Sequence, residues 1–368
     1  MNADVVIAGG GVIGTAIAWS AARGGLSVIL VDPGRGDAAS LVAAGMLGPV
    51  TESVFGEQDL LNLNLLAIRR FAAFSAELEA AAGHVTGLRT EGTLAVAYDS
   101  GDLAALRRLT AFRRSIGLEA AELDARACRK LEPFLAPGVH GGVLATGDLS
   151  VDNRRYLAAL REAARAIGVQ TVTDTVTEVA GTRVRLAAGD TLRTPRTVIA
   201  AGWATSQIGG LPDQVRKAIR PVKGQILRLR HPAGIPPVIT RTVRAIVQGR
   251  DVYLVPRADG EVVVGATQEE RDDTIVTAGA THDLLRDAMT AVPAVSELVL
   301  AETSAGLRPG TQDNGPVVGR LGDGLIVAAG HFRNGILLSA ATAEAVTAIL
   351  AGGEPPAEWA PFSPGRFA

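Results

Sequence analysis

The sequence has little from which a covalent or metal-centred framework could be built. Its 368 residues include one cysteine, Cys128, so no internal disulfide can form. The multi-cysteine sites of zinc and iron–sulfur proteins are excluded for the same reason. The five histidines are scattered without the spacing of metal ligands. We therefore expect no metal site, and we interpret Cys128 as a structural or surface thiol.

An excess of charge of one sign is also missing. Lys and Arg together number 36, Asp and Glu 38, and the formal net charge is −2. This balance gives no reason to expect binding to nucleic acid or to an anionic membrane surface.

Residues 5–31 are apolar enough to resemble a membrane span or a signal peptide, but glycines interrupt them and no basic cluster precedes them. Together with the lone thiol, this pattern predicts a cytoplasmic protein.

Glycine, by contrast, is abundant, and its most informative cluster lies near the start of the chain. Residues 9–14, Gly-Gly-Gly-Val-Ile-Gly, match the pattern G-x-G-x-x-G. They lie between a predicted buried strand at 4–8 and a predicted helix at 12–23, which is the context in which this pattern binds a dinucleotide. The helix would present unpaired N–H groups and a partial positive charge to the pyrophosphate.

Each glycine of the pattern has a separate physical role. Gly9 permits the tight turn, Gly11 lets the backbone approach a pyrophosphate, and Gly14 lets the helix pack on the strand. Asp32 ends the next predicted strand, about 20 residues on, where a carboxylate can bind an adenosine ribose. The pattern predicts NAD or FAD as the ligand and does not choose between them. The alternative is a glycine-rich turn with a surface aspartate.

The length predicts about two domains. Short β-type runs with hairpin turns fill residues 225–264, whereas buried strands at 197–200 and 325–328 return to α/β character. A chain that leaves a nucleotide-binding fold and returns to it late suits FAD held end to end. We therefore predict an α/β fold in which a Rossmann-type FAD-binding domain is interrupted by a mostly antiparallel β substrate domain of α+β type.

The predicted boundaries follow from these changes of character along the chain. The FAD-binding domain takes residues 1–85, 147–215 and 310–354. The substrate-binding domain takes residues 86–146 and 216–309. A proline-rich, irregular tail takes residues 355–368.

Six further motifs occur in a fixed order along the chain. They are 43–47 (AAGML), 221–225 (PVKGQ), 253–257 (YLVPR), 264–267 (VGAT), 305–311 (AGLRPGT) and 330–338 (GHFRNGILL). Together with the glycine-rich turn, they resemble the FAD-dependent D-amino-acid-oxidase superfamily, and within it most closely the glycine oxidases of thiamine biosynthesis. The resemblance extends from residue 5 to about residue 350.

The resemblance implies a set of residues around a non-covalently bound FAD. Asp32 would bind the ribose, Val176 would touch the adenine side through its backbone, and residues 331–337 would close over the flavin ring. The full implied set is Gly9, Gly11, Val12, Ile13, Gly14, Asp32, Pro33, Ala39, Ser40, Ala44, Gly45, Met46, Val176, His331, Phe332, Arg333, Asn334, Gly335, Ile336 and Leu337.

The resemblance also implies residues for the substrate. Arg308 would bind the carboxylate of an amino acid, Tyr253 would help to hold it, and Arg333 would lie near the substrate and the flavin. A guanidinium matches a carboxylate with two parallel charge-assisted hydrogen bonds. The alternatives are an ordinary arginine stacked beside Pro309, a strand tyrosine on an exposed face, and a helix-start arginine that packs on Phe332.

Two positions depart from the family's pattern. Asp251 precedes the motif tyrosine by two residues, where a relative has histidine, and Gln268 follows the VGAT motif, where a relative has methionine. The rim of the pocket therefore differs, and a strict preference for glycine is less firmly implied than the fold.

The implied reaction is the oxidative deamination of glycine, and also of sarcosine and small D-amino acids. It would give the imine or glyoxylate, release hydrogen peroxide, and supply thiazole synthesis for thiamine. The implied partners are a small amino acid and molecular oxygen, in a homo-oligomer. A D-amino-acid or sarcosine dehydrogenase with another electron acceptor, or a flavoprotein module without activity, remains an alternative.

The absence of a cysteine near Arg308 generates the first prediction. Acid or heat should release FAD from the denatured protein, because no thiol is placed to bond the flavin covalently. The measurement is the flavin absorbance of the supernatant after precipitation. Flavin that stays with the precipitated peptide would contradict the prediction.

Overall fold

The computed structural model describes residues 3–234 and 236–367. The strands, in chain order, are β1 Val5–Ala8, β2 Val28–Val31, β3 Met46–Leu47, β4 Thr93–Ala97, β5 Ala121–Asp124, β6 Gly141–Ala145, β7 Leu149–Ser150, β8 Gln170–Val172, β9 Val176–Ala180, β10 Arg183–Leu186, β11 Thr191–Arg193, β12 Thr197–Ile199, β13 Arg220–Arg230, β14 Thr242–Val247, β15 Arg250–Pro256, β16 Glu261–Gly265, β17 Val299–Gly310, β18 Val317–Gly322 and β19 Leu325–Ala329.

The helices in chain order are α1 Val12–Arg23, α2 Ala39–Val42, α3 Gln58–Ala82, α4 Ser100–Ser115, α5 Ala125–Leu131, α6 Asn153–Ala166, α7 Asp213–Ala218, α8 Ala278–Ala291 and α9 Gly335–Leu350. Short 3₁₀ segments occupy Gly202–Gln207, Pro293–Glu297, Phe332–Asn334, Ala357–Phe362 and Pro364–Phe367.

A six-stranded sheet with the order β18-β19-β12-β1-β2-β8 contains the glycine-rich turn. Its strands are parallel except for β18, which runs antiparallel to β19. β1 and β2 are fully buried, as expected for apolar strands covered on both faces. Helices α1, α3, α6 and α9 cover one face, and the small antiparallel sheet β9–β11 covers the other.

An eight-stranded sheet has the order β17-β13-β16-β15-β14-β4-β6-β5. It is antiparallel except for the pair β14 and β4. Helix α8 packs on one face through Leu284 and Ala288. The other face meets residues 40–46, called the α2 segment because they begin within helix α2, where Val42 and Ala44 pack on Ile226, Val255 and Val263. The prediction of a mixed α/β fold is confirmed.

Some elements differ from the sequence-based expectation. β13 is longer than the predicted run at 225–229, because it pairs over its full length with β17, which the sequence did not predict. Gly306, Pro309 and Gly310 weaken the local strand pattern of β17, so that pairing with β13 decides its conformation. Helix α8 begins six residues earlier than the predicted 284, after Thr277, whose side chain accepts from the Ala280 N–H at 3.3 Å.

The tail at 355–368, expected to be irregular, contains two 3₁₀ segments in its described part. Trp359 and Phe362 are buried and pack on the core of the six-stranded sheet and its helices. Burial of these two aromatic side chains orders a segment whose prolines gave no periodic pattern.

Among residues 3–234 and 236–367, no helix combines the length and the apolar character needed to cross a bilayer.

Candidate active site

A cavity of about 870 Å³ extends from the glycine-rich turn at the end of β1 to the inner face of the eight-stranded sheet. Its length along the fold suits a dinucleotide with a small molecule at one end. Of the residues that the sequence predicted, those on its wall are Gly9, Gly11, Val12, Ile13, Asp32, Pro33, Ala39, Ser40, Ala44, Gly45, Met46, Val176, Tyr253, Arg308, His331, Phe332, Arg333, Gly335 and Ile336.

Three predicted cofactor residues do not line this cavity. Gly14 lies behind the turn, where an added Cβ would be 1.8 Å from the carbonyl oxygen of Gly9. Its role is therefore the close packing of α1 on the turn. Asn334 and Leu337 are buried at the start of α9, behind the wall that His331 and Ile336 form.

The turn itself packs closely on the end of β12 and lines the cavity. Gly9 has φ +106°, and an added Cβ would meet the Ala200 carbonyl oxygen at 2.4 Å. No acidic residue occupies the first turn of α1, so its N–H groups face the cavity without a competing negative charge. Ser40 Oγ accepts from the Val12 N–H at 3.0 Å and ties the α2 segment to this helix start.

Asp32 lies at the opposite side of the turn. Its Oδ1 accepts from the Gly34 N–H at 2.9 Å, and its Oδ2 lies 3.6 Å from Arg161. An added Cβ on Gly10 would lie 2.1 Å from Oδ2. Gly10, to which the sequence assigned no role, therefore makes the space for the Asp32 carboxylate.

Arg308 reaches the cavity from β17 across β13. Its Nη1 donates to the carbonyl oxygens of Thr267 at 3.2 Å and Lys223 at 3.4 Å. An added Cβ on Gly224 would lie 2.2 Å from this guanidinium. Gly224 therefore provides the space through which Arg308 reaches the cavity, a role that the sequence did not reveal.

Tyr253 lies on β15, directly opposite Gly265 in the register of the sheet. An added Cβ on Gly265 would lie 2.5 Å from the phenol oxygen. Burial raises the pKa of the Tyr253 phenol above its usual range, while the positive charge of Arg308 opposes that rise. The phenol therefore stays protonated at neutral pH and can donate a hydrogen bond beside Arg308.

The other arginines on the cavity wall are neutralised. Arg333 is 3.0 Å from Glu57, Arg244 is 3.0 Å from Glu52, Arg250 is 2.9 Å from Asp287, and Arg35 is 2.8 Å from Asp37. In the part of the chain that the structure describes, Arg308 forms no such ion pair. The guanidinium of Arg308 is thus the one on this wall with its charge open to an anionic ligand.

Arg333 lies in both of the places that the sequence left open for it, on the cavity wall and against the Phe332 ring. It lines the cavity, and its guanidinium lies 5.6 Å from the centre of the Phe332 ring. Its partner Glu57, just before α3, was missed because no local pattern links two residues so far apart in the chain.

Burial lowers the pKa of His331 to about 3, so its imidazole is neutral, and Nε2 lies 3.0 Å from Thr342 Oγ1.

The two departures from the family pattern, Asp251 and Gln268, both lie on the cavity wall beyond Tyr253. Arg244 lies opposite Tyr253 on the neighbouring strand β14 and also lines the wall, together with Glu52. This end of the cavity is therefore polar and charged, and neither Glu52 nor Arg244 belonged to any motif in the sequence.

The single thiol is remote from this chemistry. Cys128 is buried in the core beneath the eight-stranded sheet, and burial raises its pKa to about 11. Among the described residues, 3–234 and 236–367, no group of three or more His, Cys, Asp or Glu side chains is placed to hold a metal ion.

Comparison with known proteins identifies the family. Residues 4–349 match the model of the DAO family, described as FAD dependent oxidoreductase. The chain belongs to this family of FAD-dependent oxidoreductases. The prediction of the superfamily, and of FAD as the cofactor, is confirmed.

Individual relatives are similar over nearly the whole chain. Glycine oxidase of Bacillus licheniformis is 32% identical over 97% of this chain and 95% of its own length. The crystal structure of glycine oxidase from Geobacillus kaustophilus has a TM-score of 0.90 at 32% identity and 98% coverage of both chains. The bifunctional protein ThiO/ThiG of Synechocystis sp. is 32% identical over 100% of this chain, which spans 54% of that relative. These similarities confirm the prediction of a flavin-dependent amino-acid oxidase.

The contact between Gly224 and Arg308 generates a prediction. Gly224→Ala should raise the KM for the amino-acid substrate about tenfold or more, because the new methyl group displaces the guanidinium, while FAD binding and stability change little. Gly224 needs no left-handed backbone, so the fold accepts alanine. Steady-state kinetics, flavin titration and thermal unfolding measure the three quantities.

Gly279→Ala is the matched control, since an added Cβ there meets nothing within 4 Å. It should leave the KM unchanged. If Gly224→Ala kept the wild-type KM, the position of Arg308 in the substrate site would be contradicted.

Proposed function

We propose that this protein oxidises glycine and other small amino acids, sarcosine and D-alanine among them. The observation that carries the proposal is the unpaired guanidinium of Arg308 beside the protonated phenol of Tyr253, in a cavity continuous with the FAD turn. A carboxylate fits this pair, because the guanidinium offers two parallel donors and the phenol a third. The two glycine oxidases named above support the same substrate class.

We further propose that one part of the chain binds FAD and the other binds the substrate. Residues 1–85, 147–215 and 310–354 would bind FAD, with Gly9, Gly11, Asp32 and Val176 as contacts. Residues 86–146 and 216–309 would bind the substrate, with Tyr253 and Arg308. The position of the glycine-rich turn on the six-stranded sheet, and of Tyr253 and Arg308 on the eight-stranded sheet, supports this division.

The residues present fit FAD, since the glycine-rich turn and the start of α1 line the cavity and no acidic residue occupies the first turn of that helix. Bound in this cradle of residues, FAD would supply the hydride acceptor and the route of the electrons to oxygen. Glycine, water and oxygen would thus give glyoxylate, ammonia and hydrogen peroxide. This chain's own contribution is to bind and orient the substrate rather than to move the hydride.

Arg308 and Tyr253 would hold the carboxylate and so set the position of the α-carbon relative to the cofactor. His331 is neutral and hydrogen-bonded to Thr342, so it contributes shape to the wall and not charge. Met46 and the turn at 331–336, of which all residues but Asn334 line the same wall, would crowd the α-carbon and leave little room for a side chain.

The role in thiazole synthesis for thiamine is proposed on the similarity to the ThiO/ThiG protein. The imine of glycine would be the useful product there. A deletion strain should then need thiamine or its thiazole moiety, unless another source of the imine exists.

Arg308→Ala should spare FAD binding and raise the KM for the substrate. Loss of one partner of a desolvated carboxylate pair costs ~2–5 kcal/mol, which corresponds to about 30-fold to several thousand-fold. Arg308→Lys should restore only part of this loss, because a point charge cannot make the two-pronged contact. Near-normal kinetics for Arg308→Ala would remove Arg308 from the site.

A substrate panel tests the proposed function as a whole. Glycine, sarcosine, D-alanine and a bulky D-amino acid are compared by peroxide release, and by bleaching of the flavin without oxygen. We expect peroxide from the three small substrates and slow turnover of the bulky one. Bleaching without peroxide in air would indicate a dehydrogenase instead. A bulky D-amino acid as best substrate, with no peroxide from glycine, would overturn the proposal.

A further inference from the structure

The α2 segment, defined here as residues 40–46, lies between the two sheets and lines the cavity. Ser40 anchors one end, because its Oγ accepts from the Val12 N–H at the start of α1. At the other end Gly45 has φ +74°, and its carbonyl accepts from the Val151 N–H. Ala44 and Val42 pack on the eight-stranded sheet.

Buried side chains from outside the segment bind its carbonyl oxygens. Arg257 Nη2 donates to the Ala44 carbonyl at 2.6 Å, and Asn153 Nδ2 donates to the Ser40 carbonyl at 2.8 Å. Asn153 is fully buried and Arg257 is 5% exposed. Such complete burial of a cation and an amide is costly unless each polar atom has a defined partner.

Asn153 also joins the two guanidinium groups of this region. Its Oδ1 accepts from Arg257 at 3.2 Å and from Arg228 at 3.3 Å. Arg228 forms an ion pair with Glu261 on β16, and it donates to the Leu41 carbonyl at 3.4 Å. The network therefore binds the α2 segment at three carbonyls, those of Ser40, Leu41 and Ala44.

Arg257 stays charged despite its burial. Burial lowers its pKa to about 10, which still leaves it protonated at neutral pH. It follows β15, the strand that carries Tyr253, and its Nη1 donates to the Val151 carbonyl at 3.0 Å. One side chain thus connects the substrate-binding strand, the start of α6 and the α2 segment.

The carbonyl contact at Ala44 has a consequence for the cavity. In a planar trans peptide the N–H of the next residue points opposite to the carbonyl. With the Ala44 carbonyl directed to Arg257, the Gly45 N–H is directed away from it, and among the described residues no acceptor bonds it. A charge-assisted bond to the carbonyl also polarises the peptide and strengthens this donor.

We propose that Arg257 and Asn153 are positioning residues for FAD. They fix the peptide plane between Ala44 and Gly45, so that the free N–H is presented to an acceptor atom of the bound cofactor. Neither residue lines the cavity, so each acts through the α2 segment. These two residues act on the position of the cofactor, whichever amino acid the enzyme oxidises.

Two substitutions of similar size each remove hydrogen bonds of this network. Arg257→Lys keeps the cation and loses the fork that joins the Ala44 and Val151 carbonyls. Asn153→Asp keeps the acceptor between the two arginines and loses the donor to the Ser40 carbonyl. Arg193→Lys and Asn62→Asp make the same changes at exposed positions and serve as matched controls.

The full-length variants are stripped of FAD and titrated with it, and the spectrum of the bound flavin is recorded. We expect both test variants to bind FAD about 10- to 100-fold more weakly and to shift its visible absorption bands, with unfolding of the apo-protein within a few degrees of wild type. The controls should match the wild type in all three measurements.

Wild-type FAD affinity and spectrum in both test variants would overturn the proposal. So would a loss of apo-protein stability with an unchanged spectrum, because the network would then serve the scaffold alone. If Arg257→Lys fails to fold, Asn153→Asp decides the question. Failure of both to fold would assign these residues to the scaffold and overturn their assignment to the cofactor.

Discussion

Four buried cations are the constraint on which the rest of this structure depends. Arg228, Arg257, Arg113 and Lys223 are each at most 5% exposed. A buried charge is tolerated only with close partners, and removal of one partner costs ~3–5 kcal/mol. Each of these four groups therefore dictates the position of the backbone or carboxylate that it binds.

Two of those partners, Ala44 and Thr51, lie on the cavity wall or next to a residue that lines it. Arg257 binds the Ala44 carbonyl, and Arg113 donates to the Thr51 carbonyl at 2.6 Å. Lys223 pairs with Asp273 at 2.6 Å, which holds the pKa of that carboxyl down at about 2. The cavity wall near residues 44 and 52 is thus held in place by cations that do not themselves line it.

The charges on the cavity wall are likewise determined by the partner that each side chain has. Arg333 and Arg244 are neutralised by Glu57 and Glu52, so they give shape and polarity without a net attraction for anions. Among residues 3–234 and 236–367, the hydrogen-bond partners of Arg308 are two carbonyls at 3.2 and 3.4 Å, which leaves its charge open to an anionic ligand. Gly224 makes that arrangement possible, because a side chain there would occupy the place of the guanidinium. Which arginine on the wall can attract an anion therefore depends on whether it already has a carboxylate partner, not on the number of arginines.

The sequence alone determined the features that depend on contiguous residues. The turn at 9–14, the following helix and Asp32 at the end of β2 are local, so their spacing sufficed to predict a dinucleotide site, and the ordered motifs then predicted the family and FAD. Only the tertiary structure decided which distant groups meet. The pairs Glu57 with Arg333, Gly224 with Arg308, and Arg257 with Ala44 lie far apart in the chain. Such contacts depend on strand register and on the packing of the two sheets, and no local periodicity encodes either.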